Sequence, residues 1–133
     1  MKEKLIRVGT TYLPVQDIEK AAKWYERVLD AKLNYIDEDK AIVNLANQSF
    51  FLVKAPKNET ANFIDINGKE RFSLTFEVNG IEELVALHNE LSVKGVTIGD
   101  IENRGHAGRN FVFSDADGNK FDVWSELSPS FKE

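Results

Sequence analysis

Apolar residues along this chain recur with two different periods, and the changes of period divide it into short elements. Residues 5–15 alternate as a strand, with Thr11, Leu13 and Val15 on one face and Thr10, Tyr12 and Pro14 on the other. Pro14 donates no ladder hydrogen bond, so it marks a strand end or a sheet edge. The period then becomes helical. Ile18, Ala21, Ala22, Tyr25, Val28 and Leu29 form the expected buried stripe, Asp17 is the expected N-cap, and Lys20 is too basic to complete a capping box. Residues 33–36 return to strand and 37–40 make a charged turn. Residues 41–45 and 49–53 read as a hairpin about Ala46-Asn47-Gln48. Residues 55–70 are polar and irregular, a linker. Its Phe63, Ile64 and Ile66 are expected to dock on the protein, because leaving them in water forfeits their burial.

The pattern then restarts. Residues 72–78 alternate, with Leu74, Phe76 and Val78 opposite Ser73, Thr75 and Glu77, and Asn79-Gly80 breaks the run. A helix over 81–93 is expected to bury Ile81, Leu84, Val85, Leu91 and part of His88, with Gly95 closing it. Residues 96–98 form a short strand and 101–108 a loop. Residues 110–114 and 120–125 form a hairpin about Asp115-Ala116-Asp117-Gly118-Asn119, where Asp and Asn cap their own backbone and Gly118 takes a positive φ. Phe121 and Val123 point one way; Asp122, Trp124 and Glu126 point the other. A carboxylate and an indole thus share a strand face, one wall of any pocket here.

The same order of five elements occurs twice, at an offset of 63 residues. Val15 matches Val78, Ile18 matches Ile81, Glu19 matches Glu82, Trp24 matches Leu87, Val28 matches Leu91 and Leu33 matches Val96. Such self-similarity points to two supersecondary modules, at about 5–54 and 71–126, within a single domain of 133 residues. A net charge of −5 argues against nucleic acid or an anionic membrane as partner. The absence of cysteine excludes disulfides, thiolate nucleophiles and Cys-based zinc sites. No apolar run has membrane-spanning length, and Met1-Lys2-Glu3-Lys4 is too polar to open a signal peptide, so a cytoplasmic protein is expected.

The repeat resembles the vicinal oxygen chelate superfamily of glyoxalase I, extradiol dioxygenases and bleomycin- or fosfomycin-resistance proteins. The matching residues are Leu13-Pro14-Val15-Gln16-Asp17-Ile18, Trp24-Tyr25 and Val28-Leu29 in module one, and Leu74-Thr75-Phe76-Glu77-Val78 in module two. The most specific stretch is Phe111-Val112-Phe113-Ser114-Asp115-Ala116-Asp117-Gly118-Asn119, with Ala116 where the family has proline. The resemblance implies an α+β fold in which two βαβββ modules form a paired, curved mixed sheet around a cavity. It also implies a divalent metal held by the first and last strand of each module, usually by His and Glu. Carried over, those positions fall on Thr10, Phe51, Ser73 and Asp122, a set with one good ligand. A transition metal needs about three or four N, O or S donors. No metal cofactor is therefore expected.

Other constellations are weaker. Asp115, Asp117, Asn119 and Glu126 fit a calcium-loop spacing, but Lys120 stands where that loop needs Gly. The stretch from Arg104 to Arg109 reads as a solvated connection, with an anion-binding loop as the alternative; Arg109 is placed to face a cavity mouth. His88 reads as a packed helix residue. His106, in a loop, is the better acid–base candidate beside Asp122. Tyr25 reads as core and Trp24 as a helix-edge residue. Tyr12, Phe51 and Trp124 fall on cavity-facing strand positions, either as a plug or as a stacking surface.

The leading expectation is a metal-free binder of a small organic molecule, using Thr10, Tyr12, Phe51, Ser73, Arg109, Asp122 and Trp124, with Asp122 pairing with a ligand cation or donor. One alternative is a glyoxalase-like lyase or isomerase, or a dioxygenase, with a divergent site. There Asp122 would be the base and Arg109 or His106 the charge stabiliser. The other alternative is a structural or regulatory homodimer without a ligand.

Overall fold

The computed structural model describes residues 3–132. The described residues form two compact units, divided between Glu59 and Thr60.

In the first unit, β1 (Thr10–Val15) leads into α1 (Ile18–Leu29), followed by β2 (Lys32–Ile36), β3 (Lys40–Leu45) and β4 (Gln48–Lys54). The sheet order is β1-β4-β3-β2, with β1 parallel to β4 and the other pairs antiparallel. The helix starts where the pattern puts it: the Asp17 carboxylate accepts the Lys20 N–H at 3.0 Å. Ile18, Ala21, Ala22, Tyr25 and Val28 are buried on its inner stripe, and α1 packs on β2, β3 and β4. Leu13, Val15, Ala41, Val43, Phe50 and Leu52 form the opposing core. Trp24 is half-buried, edge-on to the buried Tyr25 at 5.0 Å.

Strand β1 begins at Thr10, not at residue 5. Pairing with β4 starts at Thr10 and Ser49, with the Gly9 carbonyl accepting the Ser49 N–H at 2.9 Å. Leu5, Ile6 and Val8 lie exposed ahead of it. Alternation makes a strand only where a neighbour supplies the ladder.

The second unit holds β5 (Phe63–Ile64), β6 (Glu70–Arg71), β7 (Thr75–Glu77), α2 (Ile81–Val93), β8 (Thr97–Ile98), β9 (Asn110–Ser114), β10 (Lys120–Trp124) and α3 (Pro129–Lys132). Its main sheet runs β7-β10-β9-β8, with β7 parallel to β10 and the rest antiparallel. This is the connectivity of the first sheet, so the repeat seen in the sequence is a structural repeat. Register sharpens it. Tyr12 pairs with Phe51, and Thr75, 63 residues after Tyr12, pairs with Asp122. Phe51 and Asp122 are therefore equivalent positions.

Three expectations change here. The strand expected over 72–78 is ordered only from Thr75 to Glu77. Helix α2 buries Leu84 and Leu91, but Ile81 and Val85 are 45% and 40% exposed, because strands of two and three residues offer a narrow floor. The patch from Phe63 to Ile66 does not dock. Phe63, Ile64 and Ile66 are exposed on the β5–β6 hairpin, whose turn is held by Asp65 accepting the N–H groups of Asn67 and Lys69 at 2.9 and 3.0 Å. What anchors this segment is polar. The Ala61 N–H donates to Asn119 Oδ1 at 2.8 Å, Asn62 Nδ2 donates to the Gly118 carbonyl at 2.8 Å, and Asn62 Oδ1 accepts the Lys120 N–H at 2.9 Å.

Candidate functional site

The face of the first sheet opposite α1 carries an apolar row. Cross-strand pairing aligns Tyr12, Phe51, Ile42 and Tyr35 across all four strands. Tyr12 and Phe51 meet with ring centroids 4.9 Å apart. Tyr12 keeps 63% of its surface exposed; Phe51 and Ile42 are half-buried and Tyr35 is exposed. One register step away runs a polar row of Thr10, Ser49 and Asn44, where Ser49 Oγ donates to Asn44 Oδ1 at 3.2 Å. At the other end the Tyr35 hydroxyl donates to Asp37 at 2.7 Å, and Lys40 Nζ lies 5.3 Å from the Tyr35 ring centre. The Tyr35 hydrogen bond, with the backbone N–H groups of Asp39 and Lys40, holds the Asp37 carboxyl well below the usual carboxylate range. The same hydrogen bond raises the Tyr35 phenol above its ordinary value.

In the second unit the equivalent face centres on Asp122, which is 3% exposed. Its Oδ2 accepts from Thr75 Oγ1 at 3.0 Å and from Asn110 Nδ2 at 2.9 Å. Arg104 Nη2 stands 3.0 Å from Oδ1, close enough for an ion pair but without the alignment of a hydrogen bond. Arg104 Nε donates to Glu102 at 3.0 Å, and its Cζ lies 6.0 Å from the Phe72 ring centre. Burial works against the Arg104 charge, but Glu102 and Asp122 outweigh it and raise its pKa.

Trp124 is half-buried. Its Nε1 donates to the Ala107 carbonyl at 3.0 Å, and His106 stands edge-on to it at 6.0 Å. The exposed His106 shares a 2.8 Å hydrogen bond with the same carbonyl. His88 packs edge-on to Phe111 and bonds the Gly99 carbonyl, as a packed helix residue should. Ser73 is exposed ahead of β7; the hydroxyl that reaches Asp122 belongs to Thr75. Arg109 turns back to the Gly108 carbonyl at 3.0 Å, and the guanidinium beside Asp122 is Arg104. The Asp115 carboxylate is spent on the N–H groups of Asp117 and Asn119 and on Asn119 Nδ2, which makes it a turn scaffold.

The polar core of this site, Thr75, Arg104 and Asn110 around Asp122, was not assembled from the sequence. Thr75 did carry a signal, since alternation puts it on the face of Ser73 and Glu77. Arg104 carried none beyond its charge.

Residues 7–123 match the sequence pattern of the Glyoxalase/Bleomycin resistance protein/Dioxygenase superfamily. The chain belongs to that superfamily. No curated protein sequence matches it. Among solved structures, the fosfomycin resistance protein FosX from Listeria monocytogenes superposes with a TM-score of 0.74 at 15% identity, over 97% of this chain and 99% of that one. Its complex with Mn(II) and sulfate gives 0.71 at 17% identity, over 96% and 93%. Lactoylglutathione lyase from Agrobacterium tumefaciens gives 0.70 at 12% identity, over 92% and 95%. At these identities the likeness is one of fold. No helix among the described residues is long and apolar enough to cross a membrane.

Where the resemblance puts metal ligands, this superfamily member carries Thr10, Phe51, Ser73 and Asp122, with one carboxylate and no imidazole among them. The first unit offers Thr10 and Phe51 at the relevant strand positions, neither an anionic nor an imidazole donor. In the second, one oxygen of Asp122 already accepts two hydrogen bonds and the other faces a guanidinium. A metal there would have to displace a cation the chain itself supplies.

Proposed function

We propose that this superfamily member binds a small organic molecule with an apolar or planar face, and does so without a metal. The observation that carries the reading is the row Tyr12–Phe51–Ile42–Tyr35 on the free face of the first sheet, with Tyr12 largely exposed at its end. An apolar row that ends in two exposed tyrosine rings, beside the hydroxyl and amide groups of Thr10, Ser49 and Asn44, combines apolar contact area with a few orienting polar groups. Asp122 Oδ2 already accepts two hydrogen bonds, from Thr75 and Asn110, which sets binding ahead of general-base chemistry at that oxygen.

The test is a panel of planar aromatic compounds titrated by calorimetry against the wild-type chain and against Tyr12→Ala and Phe51→Ala. Loss of one stacked ring should cost about 1–2 kcal/mol, roughly tenfold in affinity. A ligand bound equally well by Tyr12→Ala and Phe51→Ala would sink the reading. Composition without cysteine fits a cytoplasmic protein. We also take the chain to act as a homodimer; a monomer in sedimentation at micromolar concentration would remove that part.

A further inference from the structure

Two buried acceptors, one on Asp122 and one on its partner Asn110, have no hydrogen-bond donor among the described residues. Asn110, like Asp122, is 3% exposed. Asn110 Oδ1 and Asp122 Oδ1 are both buried and accept no hydrogen bond among the described residues. The orientation of the amide is set by its partner: Nδ2 donates to Asp122 Oδ2, and reversing it would set oxygen against carboxylate oxygen. Arg104 answers the charge of Asp122 Oδ1 but does not fill its lone pair. Buried acceptors are normally satisfied, so two on neighbouring groups call for donors that arrive from outside.

Charge selects the kind of donor. Asp122 and Glu102 face the single cation of Arg104, which leaves an excess of one negative charge. An anion would meet two unsatisfied acceptors and be repelled. The Arg104 side chain, 26% exposed, is the partly accessible group against Asp122 Oδ1. It can leave Asp122 without losing its own partner, because Glu102 holds Nε.

We propose that Asp122 and Asn110 form a recognition subsite for the N–H groups of a small organic cation, an amidinium, a guanidinium or a protonated amine, which takes the place Arg104 holds in the ligand-free chain. Arg104 then acts as an internal competitor. This rests on the reading above only in taking the chain to bind small organic molecules, and it names the polar group of one held by the second unit.

The experiment titrates the full chain with methylguanidinium, and with tetramethylammonium at matched ionic strength, following the Asn110 side-chain amide by NMR and the melting temperature. Methylguanidinium should shift the Asn110 amide saturably. Tetramethylammonium, which has no N–H, should not. Arg104→Ala should bind methylguanidinium at least about tenfold more tightly, since the competitor that closes the site is gone. Asp122→Asn should abolish the response. An unmoved Asn110 amide, or equal responses to both cations, overturns the proposal, as does unchanged affinity in Arg104→Ala. Should Arg104→Ala fail to fold, the wild-type titration decides alone. Aromatic probes that still bind in a Tyr12-dependent way while methylguanidinium fails would retire this subsite and leave the aromatic face standing. The converse result would retire the aromatic face alone.

Discussion

Alanine at Gly108 should damage this protein far more than alanine at Gly105, although both glycines lie in the same loop with similar positive φ angles of 78° and 88°. A methyl group at Gly108 would stand 2.5 Å from Ser125 Oγ, 2.9 Å from Glu126 Cγ and 3.0 Å from Trp124 Nε1. A methyl group at Gly105 would meet nothing within 4 Å. Both variants bear the cost of an L-residue in the left-handed region, about 1–2 kcal/mol. Only Gly108→Ala adds overpacking, about 1–3 kcal/mol, because Ser125 is 1% exposed and its hydroxyl accepts the Arg109 N–H at 2.8 Å. At about 4 °C per kcal/mol for a chain of this size, Gly105→Ala should lower Tm by about 6 °C and Gly108→Ala by about 14 °C. Thermal unfolding followed by circular dichroism reads both values. Hydrogen exchange at the Arg109 amide adds a local readout, faster in Gly108→Ala only. Equal losses of Tm in the two variants would refute the steric argument, and with it the close packing of this loop on Trp124.

Three further outcomes follow from the same structure. Asn119→Ala removes the acceptor for the Ala61 N–H and a donor to Asp115, both at a fully buried position, and should cost about 3 kcal/mol in denaturant unfolding; a loss under about 1 kcal/mol would mean that the turn does not hold the 60–62 segment. The lowered pKa of Asp37 means its ionised form contributes stability above the ordinary carboxylate value, and that contribution disappears as pH falls through the folded value. The raised pKa of Tyr35 means its contribution is full below the ordinary phenol value and is lost as pH climbs through the folded one. Tyr35→Phe should bring the Asp37 titration, followed by carboxyl-carbon NMR, part of the way back to normal, since the backbone donors remain; an unmoved titration would contradict the hydrogen bond. Manganese, nickel, zinc and iron(II) should each leave Tm unchanged. A metal bound at a hundred times its Kd would add about 2.7 kcal/mol, and a rise of that size would overturn the donor-set argument.

The features legible in the sequence were those decided within a few residues of one another. Asp17 caps α1 and the 115–119 turn closes on its own side chains, because a short polar side chain reaches the backbone two to four residues on. The 63-residue repeat was legible because each module repeats its period as well as its composition. Burial along α2 was misread at Ile81 and Val85. Helical periodicity tells which side of a helix is apolar; it does not tell how wide a sheet lies beneath it. The exposed hairpin at Phe63 was misread for a related reason. Apolar residues can be held in water when a polar turn such as that of Asp65 fixes the backbone.

At the candidate site the same division holds. Alternation alone set Asp122 and Trp124 on one strand face and put Tyr12 on the face of Thr10, and residue type alone counted one good metal donor among Thr10, Phe51, Ser73 and Asp122. Only tertiary structure brought Arg104, Asn110 and Thr75 onto Asp122, from separations of 18, 12 and 47 residues. Periodicity fixes the side to which a strand residue points. The identity of what meets it there depends on strand register and on the path of a loop, and both are set by the packing of the whole unit.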